Sequence, residues 1–348
     1  MYQVDKERQA PIIPPVPAPK GLKFFSGTWS GRIIILNTII FILHSLYDGN
    51  FLNPSSESLV AWGAKDNFLL VEGQLWRFLT PIVLHVGLIH YAFNNWALYA
   101  LGYQIEHLIG KRWFVALYLL SGIGGNIASS LFSLGLSAGA SSSLFGLLGA
   151  GFYLERVVGA RLNKDYGKAA RPSMYSGMVI ANLVLGFMIP QIDNAAHIGG
   201  LLSGVTLAYV LLRMKPNRLL ALNPKRSKIV LGFFLVSLVL GGGLASSKIF
   251  LKERLNLAYL TAEEPRAQFR YLTQILRLSP DDDDAKLARL ELSLRYGNYS
   301  IAKVDFFQLM QSSRNDVPLN QVESKLIQDG HMEAAEVLRQ LRSATKSK

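Results

Sequence analysis

Cysteine is absent from all 348 residues. That excludes disulfides, thiolate catalysis and thiolate metal sites. Acidic residues are scarce, with 24 Asp and Glu against 36 Lys and Arg and a formal net charge of +12. Charges of either sign make up only 17% of the chain, whereas half of it is hydrophobic, and the mean hydropathy is +0.24. This profile describes a polytopic membrane protein with room for a soluble appendage. The positive excess does not point to nucleic acid. Residues 1–247 hold 20 Lys/Arg and 10 Asp/Glu, and the remainder holds 16 and 14, so the excess borders apolar segments and forms no single basic face. A cleavable signal is not legible either, because the first apolar run begins only at Ile33, after a polar lead rich in proline. Nothing in the sequence calls for a metal or an organic cofactor.

What is present divides into four parts. Residues 1–31 are a leader with Pro11, Pro14, Pro15, Pro17 and Pro19, extended or unstructured by composition. Apolar segments at 32–51, 87–105, 112–133, 141–157, 174–190 and 195–212 predict a six-helix membrane core over residues 32–213. Residues 214–250 add a basic loop and a seventh apolar span. Residues 251–348 read as a soluble helical tail. The fold class is therefore all-α, a polytopic membrane protein with a helical appendage. In the tail, Leu272, Ile275, Leu276 and Leu278, then Leu287, Leu290 and Leu294, recur at helical spacing. Breaks at Ser279-Pro280-Asp281 and Gly297-Asn298-Tyr299 resemble a tetratricopeptide-type repeat, but its early Trp and Gly positions are missing. An unrelated small helical bundle fits the same pattern.

Charge sets the expected orientation. The leader, the 106–112 link and the 155–173 and 213–228 loops carry most of the Lys and Arg of the membrane region. The opposite links carry only Lys65 and Arg77. The basic side is then cytoplasmic, and seven spans place the tail outside, as in a bacterial plasma membrane. Residues 52–86, long for a bare connection, hold Trp62, Phe68, Trp76 and Phe78 and predict an amphipathic structure lying in the interface. Arg77 there needs an anionic or carbonyl partner, with Glu106 as one candidate. His44 and Asp48 near the end of the first helix read as interfacial.

The chemistry concentrates on Gly139-Ala140-Ser141, which puts a hydroxyl at the entrance of an apolar helix. Small residues there also suit plain helix packing, with the hydroxyl bonded to its own helix. Two distant segments favour function. His90 and Asn94, four apart, share a helical face, with His85 just before them, and His197 opens the sixth span beside Gly199 and Gly200. Ser141 needs a base, and His197 is the natural one. An oxyanion needs donors, and His90, the Asn94 amide and the Ser141 backbone N–H can supply them. Asp193, four residues before His197, can orient that ring, but capping the sixth helix or meeting water is the reading preferred, so a Ser–His dyad is favoured over a triad. Phe145, on the face of Ser141, is placed to stack on His197. The small residues of 112–133 need only packing as an explanation.

These residues carry a resemblance. Trp76-Arg77 in the first loop, the His-x4-His-x3-Asn array of His85, His90 and Asn94, Gly139-x-Ser141, and Ala196-His197-x-x-Gly200 occur in the order and spacing of the rhomboid intramembrane serine proteases, which the chain resembles over about residues 30–215. The resemblance implies Ser141 as nucleophile, His197 as general base, and His90, Asn94 and the Ser141 amide as the oxyanion site. It implies a structural role for Trp76 and Arg77, and Gly200 packed against the fourth helix. It implies single-span membrane proteins as substrates, met within the lipid bilayer. Ser142 stands where the family usually has Gly, which is expected to narrow the site or add a competing hydroxyl. A pseudoprotease that binds membrane clients without cleaving them is the alternative. The tail is expected to offer a docking surface for protein clients.

Overall fold

The computed structural model describes residues 19, 21–166, 174–189, 192–214, 224–311 and 318–346, with the side chains of 158–166, 212–214, 224–226 and 346 left out. Most of the proline-rich leader, Pro190 and Gln191, and Lys168, Arg171, Lys215 and Arg218 of the two basic loops lie outside the described residues. The chain forms two compact units, Met1–Ser246 and Ser247–Lys348.

Among its described residues the first unit is built of helices joined by turns and short irregular links, with one isolated bridge between Lys65 and Ser137. A short α1 (Leu22–Gly27) leads into α2 (Trp29–Asp48). The first turn of α2 is built by two acceptors. The Thr28 hydroxyl oxygen takes the Gly31 N–H, and the Glu106 carboxylate takes the N–H groups of Trp29 and Ser30 and the Ser30 hydroxyl, all at 2.9 Å. Glu106 is thus spent on the orphan donors of a helix N-terminus and does not meet Arg77. The 52–86 segment folds as α3 (Ser56–Ala61), α4 (Asn67–Val71) and two 3-10 turns, Leu75–Phe78 and Thr80–Val83. His44 is buried within the protein. Its Nε2 lies 3.0 Å from the Ser58 hydroxyl, joining α2 to α3.

The second span is one continuous rod of α5 (Leu88–Ala97), a π-turn at Leu98–Gly102 and α6 (Tyr103–Ile109). Then follow α7 (Lys111–Phe132), α8 (Ser141–Tyr166), α9 (Met174–Met188), α10 (Asn194–Met214) and α11 (Pro224–Ala245). Among the described residues, α2, α7, α10 and α11 are long and apolar enough to cross a membrane, and α9 is a shorter apolar helix. The fourth helix does not stop near Val157. It runs nine residues further, so its length is no longer an argument for a sunken start.

The core lies where α8 packs between α7 and α10, over Ile82, Leu117, Tyr118, Leu144, Leu147 and Leu207. Small residues permit that approach. A Cβ on Gly200 would strike the Ser142 carbonyl, and one on Gly204 the Gly146 carbonyl. Such backbone contact is what small-residue faces provide in lipid, where apolar side chains gain little by meeting each other. Large apolar residues of α2, α9 and α11, such as Leu46, Phe187 and Phe233, stay exposed on the outside of the bundle, as a lipid-facing surface requires.

The second unit comprises α12 (Lys248–Thr261), α13 (Pro265–Leu278), α14 (Asp283–Arg295), α15 (Tyr299–Gln311), α16 (Leu319–Gln328) and α17 (Met332–Lys346). Asp282 caps α14 by accepting the Ala285 N–H at 3.0 Å, and Gly297 takes the left-handed φ of 74° that turns the chain into α15. Leu290, Leu294, Phe306, Leu309, Leu326 and Leu338 form its core. The Arg289 guanidinium grips the fully buried Asp305 carboxylate through Nε at 2.9 Å and Nη2 at 2.7 Å, a bidentate pair between α14 and α15.

Candidate active site

Ser141 is the first residue of α8, and its approach is held from below by the first loop. Lys65 and Ser137 exchange two backbone hydrogen bonds, at 2.8 and 3.2 Å. The Gly139 N–H donates to the Pro81 carbonyl at 2.9 Å, and the Asn67 amide donates to the Ser133 carbonyl at 2.9 Å. Gly139 has φ of 147°, a region L side chains rarely adopt. Its missing Cβ matters for a second reason. A Cβ there would lie 2.5 Å from His90 Cε1, 3.0 Å from His90 Nε2 and 3.5 Å from the Ser141 hydroxyl. The His90 ring and the Ser141 hydroxyl therefore flank one small space that only glycine leaves open.

His90 rides on the first turn of α5, with the His85 ring edge-on at 5.6 Å. Asn94, one turn further, is buried and donates one amide N–H to the His90 carbonyl at 2.8 Å. Its second N–H is free to serve another acceptor. His197 lies on the first turn of α10. Its ring stacks on Phe145 with centroids 4.1 Å apart and planes inclined by 15°. The same pair of turns meets again where Gly200 abuts the Ser142 carbonyl. Among the described residues these contacts, rather than a hydrogen bond from Ser141 to His197, join the two candidates. His197 Nδ1 is buried with no hydrogen-bond partner among the described residues. Asp193 does not touch the ring. One carboxylate oxygen accepts the Ala196 N–H at 3.0 Å and the other accepts the Ser129 hydroxyl.

Comparison with known proteins places this arrangement within a matched domain. A family model, the Rhomboid domain, matches residues 72–214. Over those residues the chain is similar to the rhomboid family. It is 41% identical over 184 residues to rhomboid protease GluP of Bacillus subtilis (strain 168), covering 53% of this chain and 35% of that protein. It is 37% identical over 178 residues to the mitochondrial RHOMBOID-like protein 6 of Arabidopsis thaliana, covering 51% and 56%. It is 32% identical over 183 residues to Rhomboid-like protease 1 of Toxoplasma gondii, covering 50% and 60%. The matches thus span between about a third and three fifths of these relatives' own length.

Within the rhomboid domain the first-loop pair divides its labour. Trp76 is largely exposed. Arg77 is buried and donates to the carbonyls of Val60 and Ala64 at 2.8 and 2.7 Å and, through Nε, to Gln74 at 2.8 Å. It staples the loop by carbonyl capture, the second of the two partner types the sequence allowed. Ser142 does not reach the space beside His90. Its side chain is buried against α7, with Cβ 2.6 Å from where a Gly125 Cβ would stand. Sequence reasoning missed Ser129, assigned to packing alone, and missed the bonds of the first loop to the 134–140 link. The signal for Ser129 was the lone acid Asp193, whose carboxylate within apolar sequence must find donors.

Proposed function

We propose that this protein is an intramembrane serine endopeptidase acting through a Ser141–His197 dyad. What supports the reading is the space at Gly139, flanked by the Ser141 hydroxyl and the His90 ring, with His197 fixed on Phe145 at the neighbouring turn. In this reading the Ser141 Oγ attacks a peptide carbonyl while His197 accepts its proton. The tetrahedral oxyanion is met by His90, the uncommitted N–H of Asn94 and the Ser141 backbone N–H, which as the first of α8 has no partner within the helix. His197 then protonates the leaving amine. Water, deprotonated by His197, hydrolyses the acyl-enzyme. Substrates are single-span membrane proteins entering from the lipid bilayer, cut where a small-residue segment unwinds, because helical backbone shields its carbonyls. Orientation by basic loops puts the site toward the outer face of a bacterial plasma membrane, the leader inside and the tail outside. The tail, read as tetratricopeptide-like, docks protein clients on its stacked helices.

The test is labelling by a fluorophosphonate probe in detergent, wild type beside Ser141→Ala and His197→Ala, together with cleavage of a single-span reporter in proteoliposomes. Wild type alone should label and cut. A folded wild type that does neither, yet binds the reporter, would make the protein a pseudoprotease that retains membrane clients. A tail deletion that leaves cleavage of every reporter unchanged would remove the docking role.

A further inference from the structure

Asp193 is the only Asp or Glu between Asp165 and Glu253, and it sits one helical turn before His197. Three hydrogen bonds define what it does. Its Oδ1 accepts the Ala196 N–H at 3.0 Å, its carbonyl accepts the His197 N–H at 3.1 Å, and its Oδ2 accepts the Ser129 hydroxyl from α7. The first two make Asp193 the N-cap of α10, satisfying donors that the helix itself leaves orphaned. The third ties that cap sideways to a second helix. None of them involves the imidazole, whose Nδ1 has no partner among the described residues.

We propose that Asp193 is a positioning residue for His197 that works through the backbone turn and α7, and not through the ring. The proposal rests on the reading of His197 as general base. His197 is held at three points. Asp193 fixes its peptide, Phe145 fixes its ring plane, and Gly199 admits α10 close to the Gly124 carbonyl and Ala128 of α7. Loss of the cap frees the first turn to fray, and the ring moves with it. This arrangement makes a chemical distinction available. A triad acid must be an anion facing the imidazole, and changing it to the amide lowers turnover by about 10⁴-fold because the wrong tautomer is held. A cap needs only an acceptor oxygen, and Asn caps as well as Asp. The Asn amide keeps an oxygen for the Ala196 N–H and turns an N–H toward Ser129, whose hydroxyl oxygen can accept it.

The experiment compares Asp193→Asn, Asp193→Ala and Ser129→Ala in proteoliposomes, reading kcat, KM and the pH profile of kcat/KM on a single-span reporter, with thermal unfolding as a fold control. Asp193→Asn is expected within about threefold of wild type in kcat at the optimum pH. Asp193→Ala is expected to lose at least about tenfold in kcat at little-changed KM, and Ser129→Ala to fall between. The titratable groups facing His197 are Asp193 and His90, so His90→Ala is profiled alongside to keep their contributions apart. If Asp193→Asn is as impaired in kcat as Asp193→Ala, the acceptor oxygen is not what matters and the proposal falls. Asp193→Ala at wild-type kcat overturns it as well. If the alanine variant does not fold, the Asn variant and Ser129→Ala still decide. His197→Ala is run in parallel, and full cleavage by that variant would overturn the general-base reading itself, whatever Asp193 does.

Discussion

Replacing Gly139 by Ala tests the geometry of the site at its narrowest point. The new Cβ would stand 2.5 Å from His90 Cε1, closer than Cβ atoms in proteins come, and 3.0 Å from Nε2. The backbone cannot retreat easily, because the Gly139 N–H is bonded to the Pro81 carbonyl at 2.9 Å and Ser137 is paired with Lys65. The φ of 147° adds strain of its own, of order 1–3 kcal/mol for a residue with a side chain. The softest response is rotation of the His90 ring away from Ser141. That removes one oxyanion donor, a loss on the order of 10²–10³ in kcat. Reporter cleavage in proteoliposomes measures the rate, and thermal unfolding measures the strain. The decisive variant is the double Gly139→Ala, His90→Ala. If the methyl acts by expelling the ring, the double variant is no slower than His90→Ala alone, because neighbours sharing one mechanism are not additive. Additive losses, or a Gly139→Ala enzyme at wild-type rate, would refute the reasoning.

Other consequences can be measured singly. Arg77→Lys should lower the unfolding temperature of the membrane unit by a loss of about 2–3 kcal/mol, because an ammonium cannot serve Val60, Ala64 and Gln74 together. In the second unit, Arg289→Ala strands the buried Asp305 carboxylate and should cost about 3–5 kcal/mol in denaturant unfolding, whereas replacing both partners by apolar residues should be close to neutral. The hydrogen bond from Arg339 to Glu323, with Arg342 beside it, holds the Glu323 carboxyl below its ordinary value. Its small stabilisation is therefore present at neutral pH and lost as pH falls below the usual glutamate range, so Glu323→Gln should flatten the acid side of a Tm-against-pH curve. Ser142→Ala removes a buried hydroxyl without a partner among the described residues and should stabilise by about 1 kcal/mol with reporter turnover unchanged; a changed turnover would return Ser142 to the site.

The fold was legible where the bilayer dictates it. A span needs an apolar run of fixed length, and basic loops flank such runs, so the starts of α7, α8 and α10 fall within one residue of where hydropathy puts them. The end of α8 was not legible, because helix-forming residues continue past the apolar stretch and hydropathy stops reporting there. The π-turn at Leu98–Gly102 leaves no signature in residue type. The candidate site was legible as a set of residue types, Ser141, His90, Asn94 and His197, because polar groups in apolar sequence stand out. What joins them was not. Gly139 facing His90, Ser142 turned onto Gly125, and Glu106 bonded to the start of α2 depend on tertiary approach, which one sequence does not encode as a local pattern.

The two halves of the candidate site rest on unequal supports. Ser141 and His197 stand on α8 and α10, whose backbones touch at Gly200 and Gly204 and are flanked by α7. Interiors packed at that density are not continuously deformable. His90 and Asn94 stand on α5, where Ile89, Phe93 and Trp96 are 72%, 67% and 64% exposed, and the rod below them is interrupted by the π-turn. Fewer neighbours resist a shift of α5 than a shift of α8 or α10. On the proposed function, a substrate segment that enters between helices must displace something, and displacement of α5 would move only the proposed oxyanion donors, leaving the proposed nucleophile and base in register. Binding energy spent on drawing α5 back toward Gly139 would then appear as oxyanion stabilisation in the transition state, which raises kcat rather than lowering KM.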